Sequence, residues 1–268
     1  MTPEQRYLFD TSGYLHLRNV LSPEEVQKAW EATERYRTTP AEELPPGFEF
    51  AGKGHKHGFA FDKALEALTM HPAYWSIIKE LSDDKPRFGR GTMLIDTHEH
   101  PFNPLHCARD DFGWQTTQFI PKNGRIFCDN FVIFPYLTDV YPGDGGLIVV
   151  PGSHKSHFER PRDLFYPNAG RDDYDVTEVP TGVVHLAPRA GDVLIISELL
   201  THGTLPWKPQ DRDRRTLTLR YCPQYFGNSS YITDEIKDRL SPTTQELIES
   251  APYHHVKEIV KLEGAPQV

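Results

Sequence analysis

The stretch GDVLIISELLTHG, residues 191–203, decides the reading of this chain. Gly191-Asp192 is a tight turn, and Val193-Leu194-Ile195-Ile196 is a continuous apolar run of strand length, the pattern of a strand covered on both faces. The run delivers His202 immediately ahead of Gly203. Arg214, 12 residues on, opens a second run, Arg214-Arg215-Thr216-Leu217-Thr218-Leu219-Arg220-Tyr221, in which polar and apolar residues alternate. Upstream, Asn103-Pro104-Leu105-His106 places another histidine at the end of a strand-like region.

Working outward, short apolar or alternating runs fill residues 86 to 226: Gly91 to Asp96, Arg125 to Leu137, Leu147 to Val150, Val183 to Ala187, Asp192 to Ile196 and Thr216 to Tyr225. Each is bounded by Gly, Pro, Asn or Asp, and no helical periodicity intervenes, which predicts a β-sandwich or roll. Tyr141 to Gly146 is a strong turn between two of the strands. Before this core, Pro3 to Thr11 reads as a helix and Tyr14 to Val20 as a half-buried strand. Ser22-Pro23-Glu24-Glu25 is a capping box that opens a helix to about Arg37. Residues 39–47 form a proline-rich loop, and Gly52 to Gly58 is expected to be a mobile loop with His55 and His57 facing solvent. Phe61 to Leu81 is helical with a break near His71-Pro72, and after Tyr225 a helix capped by Ser241 or Thr243 ends near Ser250. The chain is read as one domain: a helical N-terminal part (1–85), a β-roll core (86–226) and C-terminal helices (227–268).

With 29 basic against 38 acidic residues, the 268-residue chain carries a net charge of −9, which speaks against nucleic-acid binding through a basic face. No apolar run is long enough to span a membrane, and the N-terminus lacks the basic start and apolar stretch of a secretory signal. Cys107, Cys128 and Cys222 are too scattered for a disulfide framework or a zinc ribbon. These features predict a reduced, cytoplasmic protein.

The order of these segments resembles the phytanoyl-CoA dioxygenase-like family of iron(II)- and 2-oxoglutarate-dependent oxygenases. The resemblance runs from about residue 5 to about residue 226. It rests on the N-terminal GYLHLRNVLSPEEV segment, His106, the DGGLIVVPGSHK turn and strand, and the strand-borne His202 followed by Arg214. It implies a double-stranded β-helix, a mainly β jelly-roll with flanking helices and a metal near one open end. It further implies that His106 and His202 are iron ligands, that Arg214 pairs with the distal carboxylate of 2-oxoglutarate, and that Thr216 adds a hydroxyl donor. Arg215 takes the place of Arg214 if the register is one residue off. Such oxygenases use two histidines and one carboxylate on one face of Fe(II), leaving positions for cosubstrate and O2. His154 in the PGSHK turn is expected to bond backbone, and His98 and His100 form a His-x-His pair that would be a weaker metal candidate.

The family's carboxylate stands two residues after the first histidine, and here that place holds Ala108 in His106-Cys107-Ala108-Arg109-Asp110-Asp111. Three readings follow. Asp110 or Asp111 supplies the carboxylate, and the enzyme hydroxylates or similarly oxidises a C–H bond of a small organic molecule, with succinate and CO2 as coproducts. Alternatively the small Ala108 leaves room for chloride on the iron, as in related halogenases. The third reading is a non-catalytic binding member of the same fold. Phe59, Phe61, Arg90, Trp114, Phe134 and Trp207 are candidate pocket residues, a mixture suited to a partly polar molecule carrying a carboxylate or phosphate.

Overall fold

The structure is a computed structural model that describes residues 1–98, 100, 102–112, 118–158, 160, 179, 181–226 and 232–258. Local signals set its N-terminal elements. Thr2 and Gln5 form a capping box on α1 (Pro3–Ser12), and Gly13, at φ 82°, ends the helix and turns the chain into β1 (Tyr14–Leu17). Ser22 and Glu25 cap α2 (Pro23–Thr38) in the same way. The segment read as a mobile loop is instead a hairpin, β2 (Phe50–Ala51) with β3 (Gly54–Lys56). His55 and His57 are buried rather than solvent-facing, at 6% and 5% exposure, because Tyr36, Phe48 and Phe50 pack against their rings. A short helix, α3 (Lys63–Glu66), precedes α4 (Pro72–Leu81), whose N-cap is His71.

The remaining strands are β4 (Pro86–Asp96), β5 (Asn103–His106), β6 (Phe119–Lys122), β7 (Arg125–Cys128), β8 (Phe131–Pro135), β9 (Gly146–Val149), β10 (Val184–His185), β11 (Val193–Ser197), β12 (His202–Leu205) and β13 (Arg214–Pro223). They form a seven-stranded sheet in the order β1-β11-β8-β13-β4-β3-β2, a four-stranded sheet β10-β9-β12-β5 and the hairpin β6-β7. Every strand pair within them is antiparallel. Two facing antiparallel sheets with this connectivity are the expected jelly-roll. Several boundaries differ from the sequence reading: β4 begins at Pro86 rather than Gly91, β1 stops at Leu17, and β13 runs from Arg214 to Pro223. The run 125–137 is split at Asp129-Asn130, and His202 opens β12 after a turn instead of ending β11.

Strand alternation divides the core in two. Leu217, Leu219 and Tyr221 of β13 face an outer core, where Phe9, Tyr36, Tyr74 and Ile78 from the helices pack. Val132, Phe134, Tyr136, Leu147, Val149, Leu194 and Ile196 face inward and fill the space between the sheets. Phe59 stacks edge-on to Phe88 and Phe61 lies flat against Tyr36, so both belong to the outer side and not to a pocket. Trp114 lies outside the described residues. The Gly191-Asp192 turn locks β1 to β11: Asp192 accepts the Asn19 and Arg189 amides at 2.9 Å each and meets His16 Nε2 at 2.8 Å. The C-terminal part adds α6 (Asp234–Lys237) and α7 (Pro242–Ile248), the latter capped by Ser241. Among the described residues no helix is long and apolar enough to cross a membrane.

Candidate active site

β5 and β12 are antiparallel neighbours, and their register sets His106 directly opposite His202. The chain neighbours of the two histidines on β12 and β5, Gly203 and Leu105, turn outward: a Cβ at Gly203 would lie 2.7 Å from the Asn103 carbonyl, and Leu105 packs with Ile148 and Leu205. Both histidines therefore face the lumen, with ring centroids 4.4 Å apart. His106 Nδ1 donates to the Pro104 carbonyl at 2.9 Å and His202 Nδ1 to the Leu200 carbonyl at 2.7 Å. Each bond fixes the tautomer, so both Nε2 lone pairs are available to one acceptor between the rings. Burial, followed by the neighbouring His202, pushes His106 down to about 4, and burial lowers His202 as well. Both imidazoles are neutral near pH 7, the protonation state that ligates a metal.

Ala108 begins α5 (Ala108–Phe112) and donates its amide to the Glu198 carbonyl at 2.7 Å. Asp110 folds back on its own turn, accepting the Cys107 amide at 3.0 Å, and pairs with Arg160 at 2.9 Å. Its charge still reaches both imidazoles and favours their protonated forms. The side chain of Asp111 lies outside the described set. Among the described residues, no three His, Cys, Asp or Glu side chains form a metal-holding group. His154 Nε2 donates to the Asp10 carbonyl at 3.1 Å, and the His100 ring caps the Thr97 amide at 3.0 Å. Both work as turn residues.

Arg214 lies at the other end of the lumen, opposite Asp96 on β4. Its Nε and Nη2 both donate to Asp96 Oδ2, the first at 3.1 Å, and its guanidinium also bonds the Tyr136 hydroxyl. Lys53, on the β2–β3 turn, reaches the second oxygen of Asp96 at 2.8 Å. Burial works against both charges, yet each keeps its ionised form favoured because the partners outweigh it. Gly146, at φ 95°, leaves the guanidinium its space, since a Cβ there would stand 3.1 Å from Nη1. Arg215 points outward, held by Asp213, Glu34 and Thr33 over the Trp30 ring. Thr216 donates its hydroxyl to the Pro135 carbonyl at 2.8 Å. Sequence reasoning missed Asp96, Tyr136, Lys53 and Glu198. Asp96 is placed by pairing with Arg214, 118 residues on, and Tyr136 by a bridge to Thr216, 80 residues on, Lys53 by its hairpin and Glu198 by contacts with Arg220 and Ala108, and no local motif announces them.

The sequence profile of the phytanoyl-CoA dioxygenase (PhyH) family matches residues 9–216, which include both histidines and Arg214. The chain belongs to this family. It is thereby a non-haem iron, 2-oxoglutarate-dependent oxygenase by class, with iron and 2-oxoglutarate as the cofactors of that class. No curated protein matches the chain. Among solved structures, it is similar to HygX from Streptomyces hygroscopicus with nickel and 2-oxoglutarate bound, at 24% identity over 88% of this chain and 94% of that one, with a TM-score of 0.70. It is also similar to EctD from S. alaskensis with 2-oxoglutarate and 5-hydroxyectoine, at 16% identity over 94% and 88%, with a TM-score of 0.66. The non-haem carbocyclase SnoK from nogalamycin biosynthesis matches at 21% identity over 90% and 92%, with a TM-score of 0.59. At these identities the likeness is one of fold.

The residues present fit the cofactors in two respects. Two neutral, oriented imidazoles converge on one point, and a fully buried arginine sits in a cradle that a side chain at Gly146 would close.

Proposed function

We propose that this protein oxidises a C–H bond of a small organic molecule, by hydroxylation or a related reaction, using iron held by His106 and His202. The observation that carries the reading is the facing pair of histidines with both Nδ1 atoms bonded to carbonyls. Bound iron with 2-oxoglutarate and O2 would supply the oxidant, with succinate and CO2 as coproducts.

The chain's own residues perform the positioning. His106 and His202 offer neutral Nε2 atoms that need no proton displaced before ligation. Arg214 receives the distal carboxylate of 2-oxoglutarate, because a guanidinium forms paired charge-assisted bonds with a carboxylate. Asp96 and Tyr136 hold that guanidinium so that little freedom is lost on binding. Val132, Leu147, Val149 and Ile196 pack between the two sheets and keep water out of that interior. Asp110 completes the ligand set, since its carboxylate already acts on both rings. To ligate, it leaves Arg160 and the Cys107 amide.

The alternative of a halide as third ligand rests on Ala108, whose methyl stands where the family places its carboxylate. Anaerobic absorption spectra of the Fe(II), 2-oxoglutarate complex, with and without chloride, separate the two. A visible band indifferent to chloride and altered in Asp110→Asn supports the carboxylate. A band that chloride shifts, unaltered in Asp110→Asn, supports the halide. Absence of 2-oxoglutarate turnover and of Fe(II) binding would leave the non-catalytic reading.

A further inference from the structure

The PGSHK turn, residues 151–155, supplies none of the side chains that would hold iron, yet the segments on either side of that site are bonded to it. It follows β9. Gly152, at φ 82°, leads the chain into a single 3-10 turn, Ser153–Lys155. The Ser153 amide donates to the Val150 carbonyl at 3.1 Å, which leaves the serine hydroxyl to point elsewhere.

Its partner lies in the short connection between β11 and β12. β11 ends at Ser197 and β12 begins at His202, so the Leu200–Thr201 peptide belongs to neither strand. Leu200 and Thr201 are buried, where an amide without an acceptor costs stability. Thr201 donates its N–H to Ser153 Oγ at 2.8 Å. The Thr201 carbonyl accepts the Val150 amide at 2.8 Å, so the pairing of β9 with β12 runs on past His202 with a hydroxyl standing in for a carbonyl. The other side of the same peptide unit is the Leu200 carbonyl, which accepts His202 Nδ1 at 2.7 Å. The serine hydroxyl and the histidine ring are therefore joined through one rigid peptide plane, and each of the two bonds polarises the other.

The turn is itself held from two sides. Arg109 of α5 donates Nη2 to the His154 carbonyl at 2.8 Å and Nη1 to the Ser153 carbonyl at 3.4 Å. On the other side the His154 ring fills the space beside Gly13, where a Cβ would lie 2.5 Å from Nδ1. It also meets the Phe119 ring edge-on, at a centroid distance of 4.6 Å. The Gly152 amide adds a bond to the Ser12 carbonyl at 3.0 Å. Pinned between α1 and α5, Ser153 keeps its hydroxyl at a fixed place beside the Leu200–Thr201 peptide.

We propose that Ser153 is a positioning residue of the iron site, holding the Leu200–Thr201 peptide so that its carbonyl keeps the His202 imidazole aimed into the lumen. The proposal rests on the oxygenase reading and adds to it the residue that orients one of the two imidazoles. Without the hydroxyl the Thr201 amide turns to find another acceptor, and the Leu200 carbonyl leaves the line of Nδ1. A ring that must be re-oriented on ligation binds metal more weakly, which is why the partners behind a ligand histidine govern affinity.

The test is the Ni(II) affinity of the full chain in saturating 2-oxoglutarate, by calorimetry, beside urea midpoints of the metal-free protein. Ser153→Ala is expected to bind Ni(II) at least tenfold more weakly. Ser153→Thr, which keeps the hydroxyl, is expected to stay within threefold of wild type. Leu247→Ala, on α7 in the outer core, is expected to lower the urea midpoint with Ni(II) affinity within twofold, which separates positioning from a general loss of stability. Ser153→Cys, similar in volume and a poorer acceptor, carries the same expected loss and replaces Ser153→Ala should that variant not fold. The visible band of Fe(II) with 2-oxoglutarate is expected to shift in the serine variant and to stay in place in Leu247→Ala. Wild-type Ni(II) affinity in Ser153→Ala or Ser153→Cys, an equal loss in Ser153→Thr, or an equal loss in Leu247→Ala would overturn the proposal. Failure of the unsubstituted protein to bind Ni(II) with 2-oxoglutarate would sink the oxygenase reading, and the proposal with it.

Discussion

Arg214 and Arg215 are neighbours in the chain with opposite surroundings. The alternation of β13 shows that 214, 216, 218 and 220 share a face, but a single sequence does not say which face turns inward. The partners decide it: Arg214 meets Asp96 in the lumen, while Arg215 meets Asp213, Glu34 and Thr33 beneath α2. Replacing Arg214 with Met should weaken 2-oxoglutarate at least tenfold, the lost charge-assisted pair being worth about 2–5 kcal/mol. It should also destabilise the fold by about 3 kcal/mol by taking one cation from buried Asp96, which keeps Lys53, and Asp96→Asn in the same chain should recover part of that. Arg215→Met should lower stability with 2-oxoglutarate affinity within twofold. Calorimetry and urea unfolding on the three variants check this, and a 2-oxoglutarate loss confined to Arg215→Met would reverse the assignment.

His154 makes a residue-level prediction about pH. Burial, then Lys155, pushes its imidazole down to about 4, so the folded protein keeps it neutral while the unfolded chain takes up a proton near 6.5. Its contribution to stability is whole above pH 6.5 and is lost as pH falls towards 4. Between pH 7 and 5.5 the wild type should lose about 1 kcal/mol more than His154→Gln, read from urea midpoints of metal-free protein. Equal losses would mean that the ring is not held neutral.

Elements with strong local signals are where the sequence reads true. The Ser22–Glu25 capping box, the break at His71-Pro72 and the Ser241 cap all lie where short-range chemistry places them. The hairpin at 50–56 was illegible because its burial comes from Tyr36 and Phe48, outside the segment, and the three glycines of 52–58 pattern like a loop. The position of His202 was legible, but not the strand it begins, since β12 is ordered by pairing with β9 and β5. The turn before β9 is legible for a reason the structure makes concrete. Gly145 has φ 97°, and a Cβ there would stand 1.9 Å from the Pro206 carbonyl oxygen. Gly145→Ala should therefore destabilise the protein by about 2–4 kcal/mol, from backbone strain together with overpacking. A urea midpoint equal to wild type would show that the turn relaxes freely.

At the scale of the molecule, the candidate site is a product of long-range register. His106 and His202 are 96 residues apart, and Asp96 and Arg214 are 118 apart, yet each pair is directly cross-strand. The fold class was readable from strand spacing and from the order of motifs; the registers were not, because pairings depend on how whole faces bury. Net charge shows the same limit. The chain is acidic at −9, while the lumen buries Arg214 beside Asp96, so overall charge says nothing of the sign of a ligand bound there.

The most direct test of the account is an anaerobic titration of the purified chain with Fe(II) in saturating 2-oxoglutarate, followed by visible absorption, beside His202→Ala. The account predicts a charge-transfer band that saturates near one iron per chain and is absent from His202→Ala. A wild type with no band, or a variant with the same band at the same stoichiometry, would contradict it.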